Sequence, residues 1–357
     1  MIDDRAAEPE LVVVAPAGWL GGSRLADALA VGVRGDRIAW IGPPSAAPDC
    51  PRIAVRGALL PGLIDHHVHA GLIALPPLLR AGITTVHDLG WRPEESWRLV
   101  RQSAGAGFDG PRVLAAGPFL TAVGGYPTAQ DWAPPGIAWE LAGPAAAVDA
   151  VRRIAGHRPL TVKVALNSVA GPTLDGATLA AVVRTAHAAG LPVTAHVEGI
   201  GQASRAATAG VDTLAHTPWS ERLTPELITH LAGHITIVST VDIHGWGAAS
   251  RARDRAVDNL RRFRAAGGRV RYGTDLGNGP LPVSVNPREI TALIAAGLTP
   301  VEILHAITAA PLVVGIRADL VEVPADPTAD PAALTRATPV LTSGVPLGGH
   351  ARKGHPA

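Results

Sequence analysis

Three histidines and an aspartate stand together in PGLIDHHVHA, residues 61–70, directly after a run of apolar residues. Alternate side chains of a strand share a face, so His67 and His69 point to one side and His66 to the other. Histidine is the commonest metal ligand in proteins, and a divalent cation would offset the crowding of two imidazoles. The spacing therefore predicts a metal site at the end of this strand, with His66 as a structural neighbour.

Other reactive side chains also stand near the ends of apolar runs. The stretches LTVKVAL, PVTAHVEG, VDTLAHT and RVRYGTDLG carry Lys163, His196, His216 and Asp275. Barrel enzymes place their reactive residues at the carboxyl ends of several strands. We therefore expect these four side chains to meet His67 and His69.

Lys163 is one of only two lysines in the chain, the other being Lys353. Between Val162 and Val164 its ammonium would lose hydration, and burial lowers the pKa of such an amine. A neutral amine can add carbon dioxide, and the two oxygens of the resulting carbamate can bridge two metal ions. A snorkelling or ion-paired lysine is the alternative for a lysine considered alone. Four histidines and an aspartate at matching depths favour the carbamate.

These residues lie in a pattern of alternating strands and helices that begins near residue 58. Eight apolar runs are predicted strands: LIDHHVH, TTVHDLG, RVLAAG, LTVKVAL, PVTAHV, VDTLAHT, ITIVST and RVRYGTD. Helical patterns such as Thr173–Ala189 and Arg251–Ala266 separate them. Eight strands in about 260 residues match an α/β fold of the (β/α)8 TIM-barrel type, for which roughly 250 residues are typical.

The two ends of the chain indicate a second, smaller unit. Short β-type runs, separated by Gly, Pro and Asp, fill residues 10–56, and RADLVEV and PVLTSGV follow the barrel. We predict a small β-sandwich domain from residues 1–57 and 318–357, and a metal-dependent hydrolase barrel over residues 58–317.

The ordered set of ligand-type residues resembles the amidohydrolase superfamily of metal-dependent hydrolases, in its imidazolonepropionase-like and Xaa-Pro-dipeptidase-like binuclear branch. PGLIDHHVH is similar to that family's P-G-x-I-D-x-H-x-H, AGITTVHDLG to its second strand, GTD to its last strand, and REITALIAAGLTPVEILHAIT to the helices that follow. The resemblance implies two divalent metal ions, with zinc as the expected metal. It assigns one ion to His67, His69 and Asp275. It assigns the other to His196 and His216, with carboxylated Lys163 between the two ions.

The resemblance also implies an enzyme that hydrolyses an amide bond of a peptide, a cyclic amide or a related small molecule, for instance in a peptide-tailoring step of specialised metabolism. Two ions roughly 3.5 to 4 Å apart would hold a shared hydroxide and polarise the substrate carbonyl. Asp275 would take the proton of the attacking hydroxide and pass it to the leaving nitrogen.

Three residues on predicted loops are candidate substrate contacts, because loops carry specificity in this fold. Tyr126 stands in TAVGGYPTA, where the branch often has Gly-Gly-His. Glu198 shares a strand face with His196 and could bind a substrate amine, with a solvated carboxylate as the alternative. His244, in VDIHGWG, is the weakest of the three candidates, and an ordinary loop residue is the favoured alternative for it. The remaining histidines without a partner set are expected to be structural: His87, His187, His230 and His305.

Composition excludes several classes of function. A net charge of +1 with 17% charged residues indicates neither nucleic acid nor an anionic membrane as a partner, but a small-molecule or peptide substrate. Residues 1–10 lack the features of a secretory signal and no apolar run is long enough to span a membrane, which predicts a cytoplasmic protein. Cys50, the only cysteine, excludes an internal disulfide and a multi-thiolate zinc site. A homo-oligomer is compatible with these features.

Three alternatives to a binuclear amide hydrolase stay open. A one-metal deaminase would share the barrel and the His-x-His strand, although Lys163 argues against it. The same two-metal site could act on an ester or lactone. A binding module without catalysis is disfavoured, because all six ligand-type residues are present.

Overall fold

The computed structural model describes residues 8–105 and 107–347. Within these ranges the protein has a mixed α/β architecture. The strands are β1 (Leu11–Gly18), β2 (Ala26–Arg34), β3 (Arg37–Gly42), β4 (Arg52–Ala54), β5 (Ala58–Pro61), β6 (Leu63–Val68), β7 (Ile83–Asp88), β8 (Arg112–Ala115), β9 (Phe119–Ala122), β10 (Ala138–Leu141), β11 (Val162–Asn167), β12 (Val193–Glu198), β13 (Thr213–Leu214), β14 (Thr236–Val238), β15 (Arg269–Arg271), β16 (Leu320–Val323), β17 (Thr338–Thr342) and β18 (Val345–Pro346).

The helices follow the strands of the central part of the chain. They are α1 (Pro76–Arg80), α2 (Pro93–Ser103), α3 (Pro144–Ala155), α4 (Gly176–Ala188), α5 (Gln202–Ala209), α6 (Pro225–His234), α7 (Arg251–Ala265), α8 (Pro287–Ala295) and α9 (Pro300–Ile307). No helix among the described residues combines the length and apolar character that crossing a bilayer requires.

Helix α4 illustrates why the predicted helical segments fold as they do. The carboxylate of Asp175 accepts a hydrogen bond of 2.7 Å from the backbone N–H of Thr178 and so caps the first turn. Leu179, Val182 and Ala186 recur at helical spacing and are buried against the barrel. The cap explains why the helix begins inside the predicted segment Thr173–Ala189 rather than at its first residue.

Eight parallel strands form the barrel. Strands β6, β7 and β8 make one sheet, and β9 with β11 to β15 make the other, with β10 added beside β9. Strands β8 and β9 are consecutive, and β8 pairs with β7 while β9 pairs with β11. Together they are therefore the third barrel strand, which joins the two sheets. Each of the eight predicted runs overlaps one of these strands, and the TIM-barrel prediction is confirmed.

The barrel closes between its first and last strands. The backbone N–H of His66 donates to the carbonyl of Tyr272 at 3.1 Å, and the backbone N–H of Asp275 donates to the carbonyl of His67 at 2.8 Å. The backbone N–H of His69 donates to the carbonyl of Leu276, also at 2.8 Å. These bonds place the chain after β15 directly beside the end of β6.

Both ends of the chain form one sheet outside the barrel, in the order β18-β17-β16-β5-β1-β2-β3, with β4 beside β1. Val13, Val31, Ile38 and Leu320 are buried in its separate hydrophobic core. The expected accessory β unit made by both chain ends is therefore present. The domain boundaries at 57/58 and 317/318 stay a prediction, and residues 1–7 and 348–357 of the proposed domain lie outside the described part.

Asp65 ties the first strand to the segment after the last. Its carboxylate accepts hydrogen bonds from the backbone N–H groups of His67 and Thr274, both at 3.0 Å, and from the hydroxyl of Thr274 at 2.6 Å. Burial raises the pKa of Asp65 to about 7. The network fixes the backbone on either side of the barrel closure, next to His67 and Asp275.

We predict that Asp65→Ala lowers the free energy of unfolding by about 3 kcal/mol, because three buried donors lose their acceptor. Urea unfolding of the metal-free protein measures this change. Asp149→Ala, on the exposed face of α3, is the matched control and should unfold at the wild-type urea concentration. If Asp65→Ala and Asp149→Ala had the same urea midpoint of unfolding, the hydrogen bonds of Asp65 would not stabilise the fold as predicted.

Candidate active site

His67 in β6 and His69 just beyond it present the same ring nitrogen to the barrel axis. The Nδ1–H of His67 donates to the carbonyl of Ala215 and that of His69 to the carbonyl of Gly90, each at 2.9 Å. A carbonyl oxygen can only accept, so in both rings Nδ1 carries the proton. Nε2 of His67 therefore has a free lone pair, whereas Nε2 of His69 faces the carboxylate of Asp275, which raises the pKa of that imidazole against the effect of burial. In both rings Nε2 is the nitrogen turned toward a possible metal ion.

Asp275 brings a carboxylate to these two nitrogens. Its Oδ1 lies 3.0 Å from Nε2 of His67 and 3.2 Å from Nε2 of His69. Its Oδ2 accepts a hydrogen bond of 2.8 Å from the side-chain amide of Asn278. The residue has a φ of +60°, which is uncommon outside glycine, and its backbone N–H is held by the carbonyl of His67.

The three residues fit a divalent cation. They are buried, and their candidate donor atoms lie within 4.8 Å of one another. Nε2 of His67 and Oδ1 of Asp275 are both buried, and neither has a hydrogen-bond partner within residues 8–105 and 107–347. Buried polar atoms of this kind are costly unless a ligand satisfies them. A cation bound to both atoms, with His69 beside them, would satisfy them.

His196 in β12 and His216 after β13 complete the group of imidazoles. The His216 ring centroid lies 4.7 Å from that of His67 and 4.9 Å from that of His196. Nδ1 of His216 is 2.9 Å from the hydroxyl of Thr240. Burial holds the pKa values of His67 and His216 well below their usual range, so these rings are neutral, the form that binds metal.

Lys163 in β11 lies at the bottom of the same cavity. The residue is 1% exposed, and its Nζ is 5.6 Å from the ring centroid of Phe119. Burial lowers its pKa to about 7, despite the opposing charges of Asp275 and Asp88. All six residues predicted as ligands therefore line one cavity. Their roles as ligands stay predictions, as does the carbamate on Lys163.

The cavity has a volume of about 460 Å³ and opens at the carboxyl ends of the barrel strands. Its wall contains all three predicted substrate contacts, which are Tyr126, Glu198 and His244. The ring of Tyr126 stacks on His196, with centroids 4.9 Å apart, and burial raises the pKa of its hydroxyl. The phenol therefore stays protonated and can donate a hydrogen bond.

Glu198 and His244 both line the cavity, and Oε2 of Glu198 lies 3.5 Å from Nε2 of His196. Asn167 donates a hydrogen bond of 2.7 Å to Oε2 of Glu198. The His244 ring centroid is 4.3 Å from that of Trp219, and Nε2 of His244 is buried with no hydrogen-bond partner in the described part of the chain. Burial lowers the pKa of His244 to about 4, so this ring is neutral at physiological pH.

The cavity wall also contains four aromatic residues that were not predicted from the sequence: Phe119, Trp132, Trp219 and Trp246. Trp219 follows His216 by three residues, and Trp246 follows His244 by two. A tryptophan shortly after a barrel strand was the available signal, because these loops surround the opening of such barrels.

The histidines expected to be structural lie away from this cavity. His66 and His87 form an edge-to-face pair with centroids 4.7 Å apart, and Nδ1–H of His66 donates to the carbonyl of Tyr272. His187 pairs with Asp212 at the surface. His230 stacks on a neighbouring histidine of α6, and His305 packs on a tryptophan.

Comparison with known families agrees with this geometry. Residues 58–323 match the model of the amidohydrolase family. The chain belongs to the amidohydrolase family. Membership confirms the prediction of a hydrolase acting on carbon–nitrogen bonds, whereas the identity of the metal stays a prediction.

Solved structures with the same fold come from several hydrolases. This amidohydrolase superimposes with a TM-score of 0.80 on a Xaa-Pro dipeptidase with bound methionine, at 20% identity over 95% of this chain and 100% of the other. The superposition on A. niger ochratoxinase has a TM-score of 0.79, with 19% identity over 95% of both chains. Molinate hydrolase gives 0.76, with 16% identity over 94% of both chains. At these identities the similarity establishes the fold alone. No curated protein matches the chain.

We predict that divalent metal stabilises the protein through these side chains. Zinc, cobalt or manganese added to metal-stripped protein should raise Tm, since a ligand at 100 times its Kd stabilises by about 2.7 kcal/mol. The metal-induced rise in Tm should be lost or much reduced in His69→Gln and retained in the surface control His187→Gln. Thermal unfolding with and without metal measures it, and equal shifts in wild type and His69→Gln would contradict the site.

Proposed function

We propose that this amidohydrolase is a binuclear metal-dependent enzyme that hydrolyses an amide bond of a peptide, a cyclic amide or a related small molecule. The observation that carries the proposal is the set of four imidazoles, one lysine and one aspartate at the bottom of a single cavity. A peptide-tailoring step in specialised metabolism is the setting we propose.

The donor atoms divide into two groups. His67, His69 and Asp275 would hold one ion, and His196 and His216 the other, with the Lys163 carbamate between them. Imidazole and carboxylate donors suit zinc. When bound, the ions supply Lewis acidity toward the substrate carbonyl and lower the pKa of water.

The environment of Lys163 supports its carboxylation. With a pKa of about 7, much of this residue is uncharged amine at neutral pH. The amine nitrogen forms a bond to the carbon of CO₂ and releases one proton, which leaves a carbamate with one negative charge. This converts a cation, which would repel metal ions, into an anion with two oxygen donors.

Asp275 is the proposed proton carrier. Burial alone would raise its pKa, but the imidazole of His69, whose Nε2 lies 3.2 Å from Oδ1, holds this pKa well below its usual range, so the carboxylate is ionised. Its Oδ2 is oriented by Asn278. The carboxylate takes a proton from the attacking water and delivers it to the leaving nitrogen.

Tyr126 and His244 are the proposed hydrogen-bonding contacts for the substrate. The hydroxyl of Tyr126 remains a donor, since burial disfavours the phenolate. His244 lines the cavity, and its Nε2 has no hydrogen-bond partner among the described residues. Both groups can therefore bind an amide, or stabilise the charge that develops on its oxygen.

Loss of Lys163 tests the carbamate. Wild-type protein grown or dialysed with ¹³C-bicarbonate should show a carbamate carbon resonance, and Lys163→Ala should lack it. The amide-hydrolysis activity of Lys163→Ala should fall at least about 100-fold. Mutation of residues that only support the metal ligands already lowers metal affinity or activity by about 10- to 100-fold. Added acetate or propionate should restore part of the activity. A fully active Lys163→Ala protein with one metal ion per chain would favour the deaminase-like alternative.

A paired substrate panel tests the bond type and the role of Asp275. Metal-replete protein should hydrolyse small dipeptides, cyclic amides or anilides, and Asp275→Asn should lower kcat by about 10²- to 10⁴-fold, the usual contribution of a positioned acid–base group. Metal content measured on the same samples separates lost proton transfer from lost metal. Hydrolysis of matched esters or lactones with no turnover of any amide would overturn the amide assignment.

A further inference from the structure

The cavity wall above the predicted ligands carries a single charged group. Among the lining residues, all within the described part of the chain, the charged side chains are Lys163, Asp275 and Glu198, and no arginine is present. Lys163 and Asp275 belong to the predicted metal ligands at the bottom. The side chain of Glu198 is 27% accessible, and its Oε2 accepts from Asn167 at 2.7 Å and lies 3.5 Å from Nε2 of His196, so Oε1 is the oxygen left for a substrate. The wall therefore offers a partner for a substrate cation and none for a substrate anion.

The rest of this wall is rich in aromatic faces. Tyr126 and Trp132 have ring centroids 6.1 Å apart on one side, and Trp219 lies against His244 on the other. Trp246 closes the wall near the segment after β15, where its indole N–H donates to the carbonyl of Asn278. Aromatic faces bind bulky apolar groups and attract ammonium groups.

The apolar surface continues out of the cavity onto the loops around its opening. Leu72, Trp132 and Trp246 line the cavity and are also exposed. Val169, after β11, and Ile200, after β12, are 71% and 79% exposed. Exposed apolar side chains grouped around an opening mark a binding surface. These side chains therefore offer apolar contacts beyond the cavity itself.

We infer that the substrate is an amide with a bulky aromatic or aliphatic group and a free amine, and without a carboxylate next to the scissile bond. This rests on the proposed function, since it names the substrate class of the same site. Glu198 pairs with the ammonium, and the tryptophans contact the apolar group. The carboxylate of an Xaa-Pro dipeptide would meet no cationic partner in the wall and would be repelled by Glu198.

Three compounds that share one scissile C–N bond test the inference on metal-replete wild-type protein. They are phenylalanyl-pyrrolidide, its N-acetyl derivative without the ammonium, and phenylalanyl-proline with the added carboxylate. We expect kcat/KM to fall about tenfold or more for each of the last two, the range for losing or opposing one charged contact. Quenching of tryptophan fluorescence measures the binding of the same compounds independently of turnover.

Glu198→Gln tests the residue that carries the preference. Glutamine keeps an oxygen for the amide of Asn167 but lacks the charge, so the variant should lose most of the advantage of the amine over its acetylated form, mainly through KM. Glu94→Gln, exposed in the first turn of α2, is the matched control and should keep the wild-type ratios. Thermal unfolding of both variants checks that they fold.

The outcomes separate this inference from the proposed function. Equal or faster hydrolysis of phenylalanyl-proline, or ratios unchanged by Glu198→Gln, would overturn the substrate class while leaving amide hydrolysis in place. The expected order in binding without turnover of any compound would support the substrate class and overturn the proposed amide hydrolysis.

Discussion

The arrangement of the site depends on the hydrogen bonds that join the first and last strands of the barrel. Asp65 and Thr274, 209 residues apart in the chain, are held together by two of these bonds. Nε2 of the neighbouring His67 and Oδ1 of Asp275 are thereby brought to 3.0 Å from each other, and among the described residues neither atom has a hydrogen-bond partner. Burial and mutual proximity of such groups are unfavourable by themselves. A bound cation reverses the sign of that interaction, so closure of the barrel and metal binding should support each other.

The strands and the ligand-type residues could be predicted because both are recognised from patterns among a few neighbouring residues. A strand buried on both faces, such as β11, is a continuous apolar run, and a reactive residue within it is conspicuous. The ends of helix α4 follow from its cap. Strand β10 and the long connection that carries Tyr126 and Trp132 were not predictable, because this segment has no periodic pattern. Its conformation is set by packing against the rest of the cavity, which sequence spacing does not encode.

The comparisons with solved structures inform on the fold of this amidohydrolase, whereas the side chains of the cavity wall inform on its substrate. Similarity to a dipeptidase and to an ochratoxinase at 20% and 19% identity reflects a shared barrel. A barrel of this kind hosts many reactions, and its loops decide which molecule enters. Glu198, Trp219 and Trp246 are all contributed by segments at the carboxyl ends of strands. The chemistry of these few side chains is therefore more informative about the substrate than the fold.

The sheet built from both ends of the chain has a consequence for biosynthesis. Strand β5 runs almost directly into β6 and pairs with β16, which leaves the ribosome more than two hundred residues later. Until then one edge of β5 has no partner, and an unpaired edge is prone to wrong association. The nascent polypeptide therefore cannot complete this sheet until β16 has been synthesised.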